Sequence, residues 1–217
     1  MIKAVIFDLD NTLYSYDTCN AKAEKKLFNL IAKDLRISIE EAENLLKQAK
    51  KNIKRRFKED VAASHNRLLY MQNICEQKGV NPLKYSMKFY NCYWDTMLEE
   101  MRPFDYVEPL FQEYKARGIR IAVLTDLTAH IQYRKLERLN LIDYIDCIVT
   151  SEEVGEEKPS SSVFTLVLDK LNLNADEVIM VGDSQSKDID GAINCGMKAM
   201  LFRGEEEFIE SQKRLLG

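Results

Sequence analysis

The sequence predicts an α/β fold: a Rossmann-like parallel sheet with helices on both of its faces, plus an α-helical cap domain inserted close to the N-terminus. Two observations predict it. From residue 107 onward, short apolar runs with no wet face alternate with amphipathic helical patterns, as buried parallel strands and their covering helices do. Before that, one apolar run at residues 2–7 is separated from the others by a stretch that is helical in pattern throughout. The predicted division is therefore a core of residues 1–14 and 105–217 and a cap of residues 15–104.

In chain order, residues 2–7 (Ile-Lys-Ala-Val-Ile-Phe) form the first strand, ending in the acid Asp8. Four helices follow, at roughly 17–36, 38–59, 61–78 and 82–101. Ser38-Ile39-Glu40-Glu41 reads as a capping box, with a hydroxyl and a carboxylate three residues apart to satisfy first-turn amides. Ala42, Leu45, Leu46 and Ala49 recur behind it at helical spacing. Gly79 closes one helix, and Asn81-Pro82 opens the next. The second half reads as helix 107–117 closed by Gly118, strand 119–124, and helix 129–139 capped by Thr128. Strand 145–149, helix 161–171, strand 178–181, helix 188–195 closed by Gly196, and strand 199–202 complete it.

Composition narrows the function classes. At 217 residues, 46% hydrophobic and 30% charged, the chain suits one large domain or a core with an insertion, and not a disordered or fibrous protein. No apolar run reaches the ~20 residues of a bilayer-spanning helix, and the opening apolar stretch is too short for a signal-peptide core. The expected location is the cytoplasm, without a membrane partner. The five cysteines are scattered and never spaced C-x-x-C, so they read as reduced thiols rather than a disulfide frame or zinc site. A net charge of −4 argues against general nucleic-acid binding. The predicted cap is mildly basic over an acidic core, which suits a small anionic substrate and a metal cation equally with ordinary solvated helix faces.

Chemistry is concentrated at the strand ends, where ligands bind in open sheets of this kind. The first strand delivers Asp8-Leu9-Asp10-Asn11-Thr12, the second Thr125-Asp126, the loop after the third Lys158-Pro159, and the fourth Gly182-Asp183 with Asp188 beyond. Crowded carboxylates raise one another's pKa unless a cation intervenes, and oxygen ligands favour a hard divalent ion such as Mg²⁺. A lysine and a hydroxyl beside that ion would complete a phosphate cradle, and an Asp can accept a phosphoryl group and pass it to water. Read singly, each residue has a plainer role: a D-x-D turn, a strand-end hydroxyl, a solvated lysine before proline, or helix caps at Asp183 and Ser186.

Together these residues resemble the four motifs of the haloacid dehalogenase (HAD) superfamily: Asp8-x-Asp10-x-Thr12, Thr125, Lys158, and Gly182-Asp183-x-x-x-x-Asp188. The resemblance covers the whole chain, since one class of these proteins carries a helical cap between the first two motifs. It implies a Mg²⁺-dependent phosphatase working through an aspartyl-phosphate on a small phosphorylated metabolite: a sugar, triose or nucleotide phosphate. It assigns Asp8 as nucleophile and metal ligand. Asp10 becomes the acid/base, its carbonyl on the metal. Thr125, the Asp126 backbone and Lys158 hold phosphate, and Asp183 is a metal ligand. Asp188 acts through a bound water or Lys158, and Thr12 supports the turn after the first strand. Dehalogenases of the superfamily lack an acid at the position of Asp10. A phosphomutase with the same core chemistry is the nearest rival, and a non-catalytic binding protein a more distant one. A monomer or homodimer is expected.

Weaker signals remain. Lys50, Lys51, Lys54, Arg55, Arg56 and Lys58 read as a solvated helix face, and Tyr85, Phe89, Tyr90, Tyr93 and Trp94 as helix packing before a substrate pocket. His65 and His130 carry no partner pattern. Tyr14, Tyr16 and Cys19 follow the first motif and are expected, by position alone, to meet substrate.

Overall fold

The computed structural model describes residues 1–57 and 61–216, with side chains as far as Glu210. The chain divides into two compact units: residues 1–15 with 102–217, and residues 16–101.

The first unit is built on β1 (Ala4–Phe7), β2 (Arg120–Thr125), β3 (Cys147–Thr150), β4 (Val178–Gly182) and β5 (Lys198–Leu201). All are parallel, in the order β3-β2-β1-β4-β5. The chain leaves central β1 for one side of the sheet and later returns to the other. The loops after β1 and β4 therefore diverge side by side, and a crevice opens there.

Alternation along β1 shows why helices cover both faces. Ala4 and Ile6 pack into a core with Phe164 and Val167 of α8 (Ser161–Leu171) and Ala192 of α9 (Asp190–Asn194). Phe7 points the other way. Its ring lies 5.2 Å from that of Phe111 on α5 (Val107–Ala116) and 6.4 Å from that of Phe208 on α10 (Glu205–Leu216). The fold class is the one the sequence predicts.

α6 (Ala129–Arg138) follows β2, and the short α7 (Ser151–Val154) follows β3. Thr128 occupies the cap position of α6, but its side chain makes no capping bond; the Glu152 carboxylate accepts from Ala129 N instead, at 2.8 Å. The predicted helix 188–195 is in fact a π-type turn (Gln185–Ile189) running into α9, and Ser184, not Asp183 or Ser186, caps it. α7 and α10 are not among the predicted elements. Four residues are too few to show a period, and the Glu-rich start of α10 reads as solvated tail.

The second unit holds α1 (Tyr16–Leu35), α2 (Ile39–Arg56), α3 (Arg67–Gln77) and α4 (Pro82–Glu100). Where a third helix was expected from residue 61, the chain makes a 3-10 turn (Ala62–His65), and α3 starts only after Asn66, whose side chain accepts from Leu68 N. The predicted end of the second helix, and Lys58, lie outside the described residues. Half of the predicted capping box forms: Ser38 Oγ accepts from Glu41 N at 3.1 Å, while the Glu41 carboxylate pairs with Lys78 at 2.7 Å. Gly79 at φ +65° and Asn81, which caps Leu83, separate α3 from α4 as the sequence implies. Phe89, Tyr93 and Trp94 are buried within this unit, the last two ring to edge at 5.0 Å, so the aromatic spacing serves packing. In the basic run, Lys50 pairs with Glu24 and Arg56 with Glu76 on solvated faces. His130 is exposed, and His65 ends the 3-10 turn. All five cysteines are free thiols.

Candidate active site

β1 ends by handing its last backbone register to Asp8, whose N–H donates to Val181 O of β4 at 2.8 Å. The chain then turns tightly: Leu13 N donates to Leu9 O at 3.0 Å, and Asn11 adopts φ +62°, a left-handed geometry that Asn tolerates. This turn faces Asp8 and Asp10 toward the crevice and buries Thr12, whose hydroxyl lies 3.5 Å from Asp8 Oδ2.

At the heart of the site is a buried charge network. Lys158 Nζ lies 2.6 Å from Asp8 Oδ1, 2.6 Å from Asp188 Oδ1 and 3.1 Å from Leu124 O. Burial pushes the Asp8 carboxyl up to about 8, with Asp188 and Asp10 adding to the rise and Lys158 opposing it. Burial works against the Lys158 charge as well, but the Asp8 and Asp188 carboxylates outweigh it and hold the ammonium above its ordinary value. Asp183 is also raised, by partial burial and then by Asp188.

One carboxylate oxygen each from Asp8, Asp183 and Asp188 lies within 4.8 Å of the other two. Such crowding of hard oxygen donors fits one divalent cation of the Mg²⁺ type. Gly182 makes the crowding feasible, because a Cβ there would sit 2.3 Å from Asp188 Oδ2. Asp188 is pinned further by Ser184 N, which donates to its Oδ2 at 3.0 Å.

Across a cleft of about 210 Å³ stand Thr125, Asp126 and Leu127 from the end of β2. Asp126 braces the wall: its carboxylate accepts from Lys158 N at 3.1 Å and from Lys187 Nζ at 2.9 Å. Lys187 also reaches Glu157 at 3.1 Å. All eight residues named by the motifs thus belong to one unit and gather at one sheet edge, with the Asp10 side chain turned aside from the acidic cluster.

Sequence reasoning missed what holds Asp10 and Thr125. Lys135 of α6, fully buried, places Nζ 2.7 and 2.8 Å from the two Asp10 carboxylate oxygens. Tyr14 Oη donates to Asp10 Oδ1 at 2.6 Å. Tyr14 is itself fully buried, so it serves Asp10 and not, as expected from its position, the substrate. Tyr16 and Cys19 fall in the helical unit, where the Tyr16 hydroxyl accepts from Arg67 at 2.6 Å and Cys19 is buried. Gln132, also on α6, donates from Nε2 to Thr125 Oγ1 and to Asp126 O. A signal existed: Gln132 and Lys135 sit beside Ile131 and Leu136 on the apolar stripe of α6, where polar residues require partners.

Comparison with known proteins agrees with this architecture. Residues 5–202 match the model of the family described as haloacid dehalogenase-like hydrolase. A ribulose-1,5-bisphosphate 5-phosphatase of Halopiger xanaduensis is 40% identical over 209 residues, covering 95% of this chain and 87% of the relative. A glyceraldehyde 3-phosphate phosphatase of Methanothermobacter thermautotrophicus is 32% identical over 206 residues, covering 94% and 87%. Among solved structures, a 2-haloacid dehalogenase of Pseudomonas syringae superposes with a TM-score of 0.71 at 25% identity, covering 93% of this chain and 86% of that one. No helix among the described residues is long and apolar enough to cross a membrane.

Proposed function

The chain belongs to the haloacid dehalogenase-like hydrolases and is a phosphoric monoester hydrolase among them; we propose that it releases phosphate from a small sugar or triose phosphate, with Mg²⁺ bound and Asp8 as the nucleophile. The observation that carries this reading is the buried Lys158 ammonium, 2.6 Å from both Asp8 and Asp188 beside the Thr125 wall. The two relatives act, by their names, on ribulose-1,5-bisphosphate and glyceraldehyde 3-phosphate, which favours a phosphorylated sugar or triose over a nucleotide.

The chain's own groups divide the labour. Asp8 attacks phosphorus as the ester P–O bond breaks, and Asp10 gives the leaving oxygen its proton. Asp10 then takes a proton from the water that cleaves the aspartyl-phosphate, which restores Asp8 and frees inorganic phosphate. Thr125 and the Asp126 N–H donate to phosphoryl oxygens, and Lys158 balances the charge that builds on them. Asp8, Asp183 and the Asp10 carbonyl would hold Mg²⁺, with Asp188 beside them; the ion supplies charge neutralisation between carboxylates and phosphoryl oxygens. Asp10 separates this reading from dehalogenation, which has no leaving oxygen to protonate.

A panel of phosphorylated metabolites, assayed for phosphate release with Mg²⁺ and again with EDTA, tests the proposal. Release confined to small sugar or triose phosphates and abolished by EDTA is the expected result. Release that persists in EDTA would overturn the metal-assisted mechanism, and phosphate moved between positions of a sugar without release would point to a mutase.

A further inference from the structure

We propose that Gln132 is a positioning residue for phosphate binding: its side-chain amide dictates that Thr125 turns its hydroxyl proton toward the cleft. The proposal rests on the reading of Thr125 as a group that holds the phosphoryl oxygens.

Gln132 Nε2 lies 2.7 Å from the carbonyl oxygen of Asp126 and 2.5 Å from Thr125 Oγ1. A carbonyl only accepts, so the atom facing it is the nitrogen, and the amide has one permissible orientation. The second N–H of that nitrogen is aimed at Thr125 Oγ1, which therefore accepts. A hydroxyl carries two lone pairs and a single proton. With a lone pair engaged by Gln132, the Thr125 proton must point elsewhere. Within the core it has the Asp126 carbonyl at 3.3 Å, a long contact to an oxygen that already accepts from Gln132 at 2.7 Å. A phosphoryl oxygen in the cleft lined by Thr125, Asp8 and Lys158 offers a better acceptor, and a charged one.

Two further observations fit a positioning duty better than packing. Gln132 is fully buried, and its Oε1 has no hydrogen-bond partner among the described residues. A side chain kept only to fill space would be Leu or Met, with no orphaned oxygen. Next along the chain, Leu127 holds φ +89°, a conformation side chains resist. The peptide between Asp126 and Leu127 is gripped on both sides, at its carbonyl by Gln132 and at its N–H by Ser151 Oγ at 3.0 Å. Gln132 thus fixes the hydroxyl of Thr125 and one face of the turn that carries it.

The test is a double-mutant cycle on the full chain with saturating Mg²⁺, using para-nitrophenyl phosphate as substrate and inorganic phosphate as inhibitor. Gln132→Met keeps length and volume and should weaken phosphate inhibition and raise KM by about tenfold, the worth of one hydrogen bond to a charged group. Thr125→Val should lose about 100-fold in kcat/KM, as removal of an oxyanion donor does. The double variant should be no worse than Thr125→Val, because Gln132 acts through that hydroxyl. Additive losses, or unchanged phosphate inhibition in Gln132→Met, would overturn the inference. Full activity in Thr125→Val would instead overturn the reading of the phosphate site, a distinguishable outcome. Should Gln132→Met fail to fold, Gln132→Asn serves: it keeps the amide but, one methylene shorter, falls short of Thr125 Oγ1, so phosphate inhibition should weaken by about tenfold; inhibition equal to the parent protein would sink the proposal.

Discussion

The two units of this protein treat buried polarity differently. The helical unit buries Ser64, Asn73, Ser86 and Thr96, neutral groups, of which two tie one helix to the next: Asn73 Oδ1 accepts from Asn52 of α2 at 3.0 Å, and Ser86 Oγ of α4 donates to Cys75 Sγ of α3 at 3.8 Å. Its charges pair at the surface, as in Lys50–Glu24 and Lys22–Glu100, or, like the partly buried Arg67, lie against the rings of Tyr70, Tyr93 and Trp94 and donate to the Tyr16 hydroxyl. The sheet unit buries Asp8, Asp188, Lys135 and Lys158 outright, all at the carboxyl edge of its strands. Desolvated charges are poor sources of stability, and a fold that concentrates them in one place retains them for chemistry. The contrast separates the part of the chain that carries the proposed phosphate site from the part whose polar groups hold helices together.

Substitutions can break or sharpen that contrast. Asp8→Asn should lower phosphate release by about 10⁴-fold or more while the melting temperature stays near that of the parent, since it removes the nucleophile, keeps the side chain's size and leaves Lys158 paired with Asp188. Activity surviving that change would dissolve the distinction between the units. Gly182→Ala should cost about 100-fold in kcat, because the new methyl displaces Asp188 from Lys158; a displacement of this size is ruinous to a reacting geometry. Parental kinetics in this variant would mean that Asp188 need not stay where it is.

A pH series probes the same network through its proton. Burial pushes the metal-free Asp8 carboxyl from its ordinary 3.8 up to about 8, so the folded state keeps a proton the unfolded chain releases. Stability of the metal-free protein should therefore fall as pH rises between those values, the reverse of an ion-paired surface acid. Mg²⁺ must displace that proton. Its affinity should climb by up to about tenfold per pH unit on approach to pH 8 and then level off, which calorimetric titration would register. A flat profile from pH 6 to 8 would mean that Asp8 is already ionised.

Lys135→Met should lower kcat/KM by about tenfold by freeing the Asp10 carboxylate, and destabilise the fold by about 1 kcal/mol, since Asp10 is partly solvated. A loss of stability without a kinetic change would make Lys135 a structural lysine. At the small end, Lys50→Ala should cost under about 1 kcal/mol and leave kinetics untouched, because its pair with Glu24 lies in solvent. A large kinetic effect there would show that the helical unit's charges take part in the reaction.

What the sequence disclosed, and what it hid, follows from where each residue sits. Strand ends are legible because an apolar run breaks off at a chemically capable side chain, so Asp8, Thr125 and Asp183 announce themselves along with the sheet. Lys158 and Asp188 follow from spacing within recognised motifs. Gln132 and Lys135 do not. They lie mid-helix, where polar residues ordinarily face water; their place beside Ile131 and Leu136 on the apolar stripe hints that they point inward, but only the structure shows that they meet Thr125 and Asp10. Tyr14 was misread for a related reason: proximity in sequence to the first motif says nothing about which way a ring is turned. The π-type turn of residues 185–189 escaped because its sequence carries no period, and Gly182 and Asp188 set its path through one close approach.

The tie between Tyr14 and Pro103 has a consequence of another kind. These residues form an isolated bridge, and Phe104 N donates to Leu13 O at 2.9 Å, so the sheet unit itself draws together the points where residues 16–101 depart and return. The excursion begins and ends at a seam already stitched, and the entropy of closing so long a loop is borne by the scaffold instead of by the helices. A different segment, or a short linker, spliced across the seam should leave the edge that carries Asp8 and Lys158 in place.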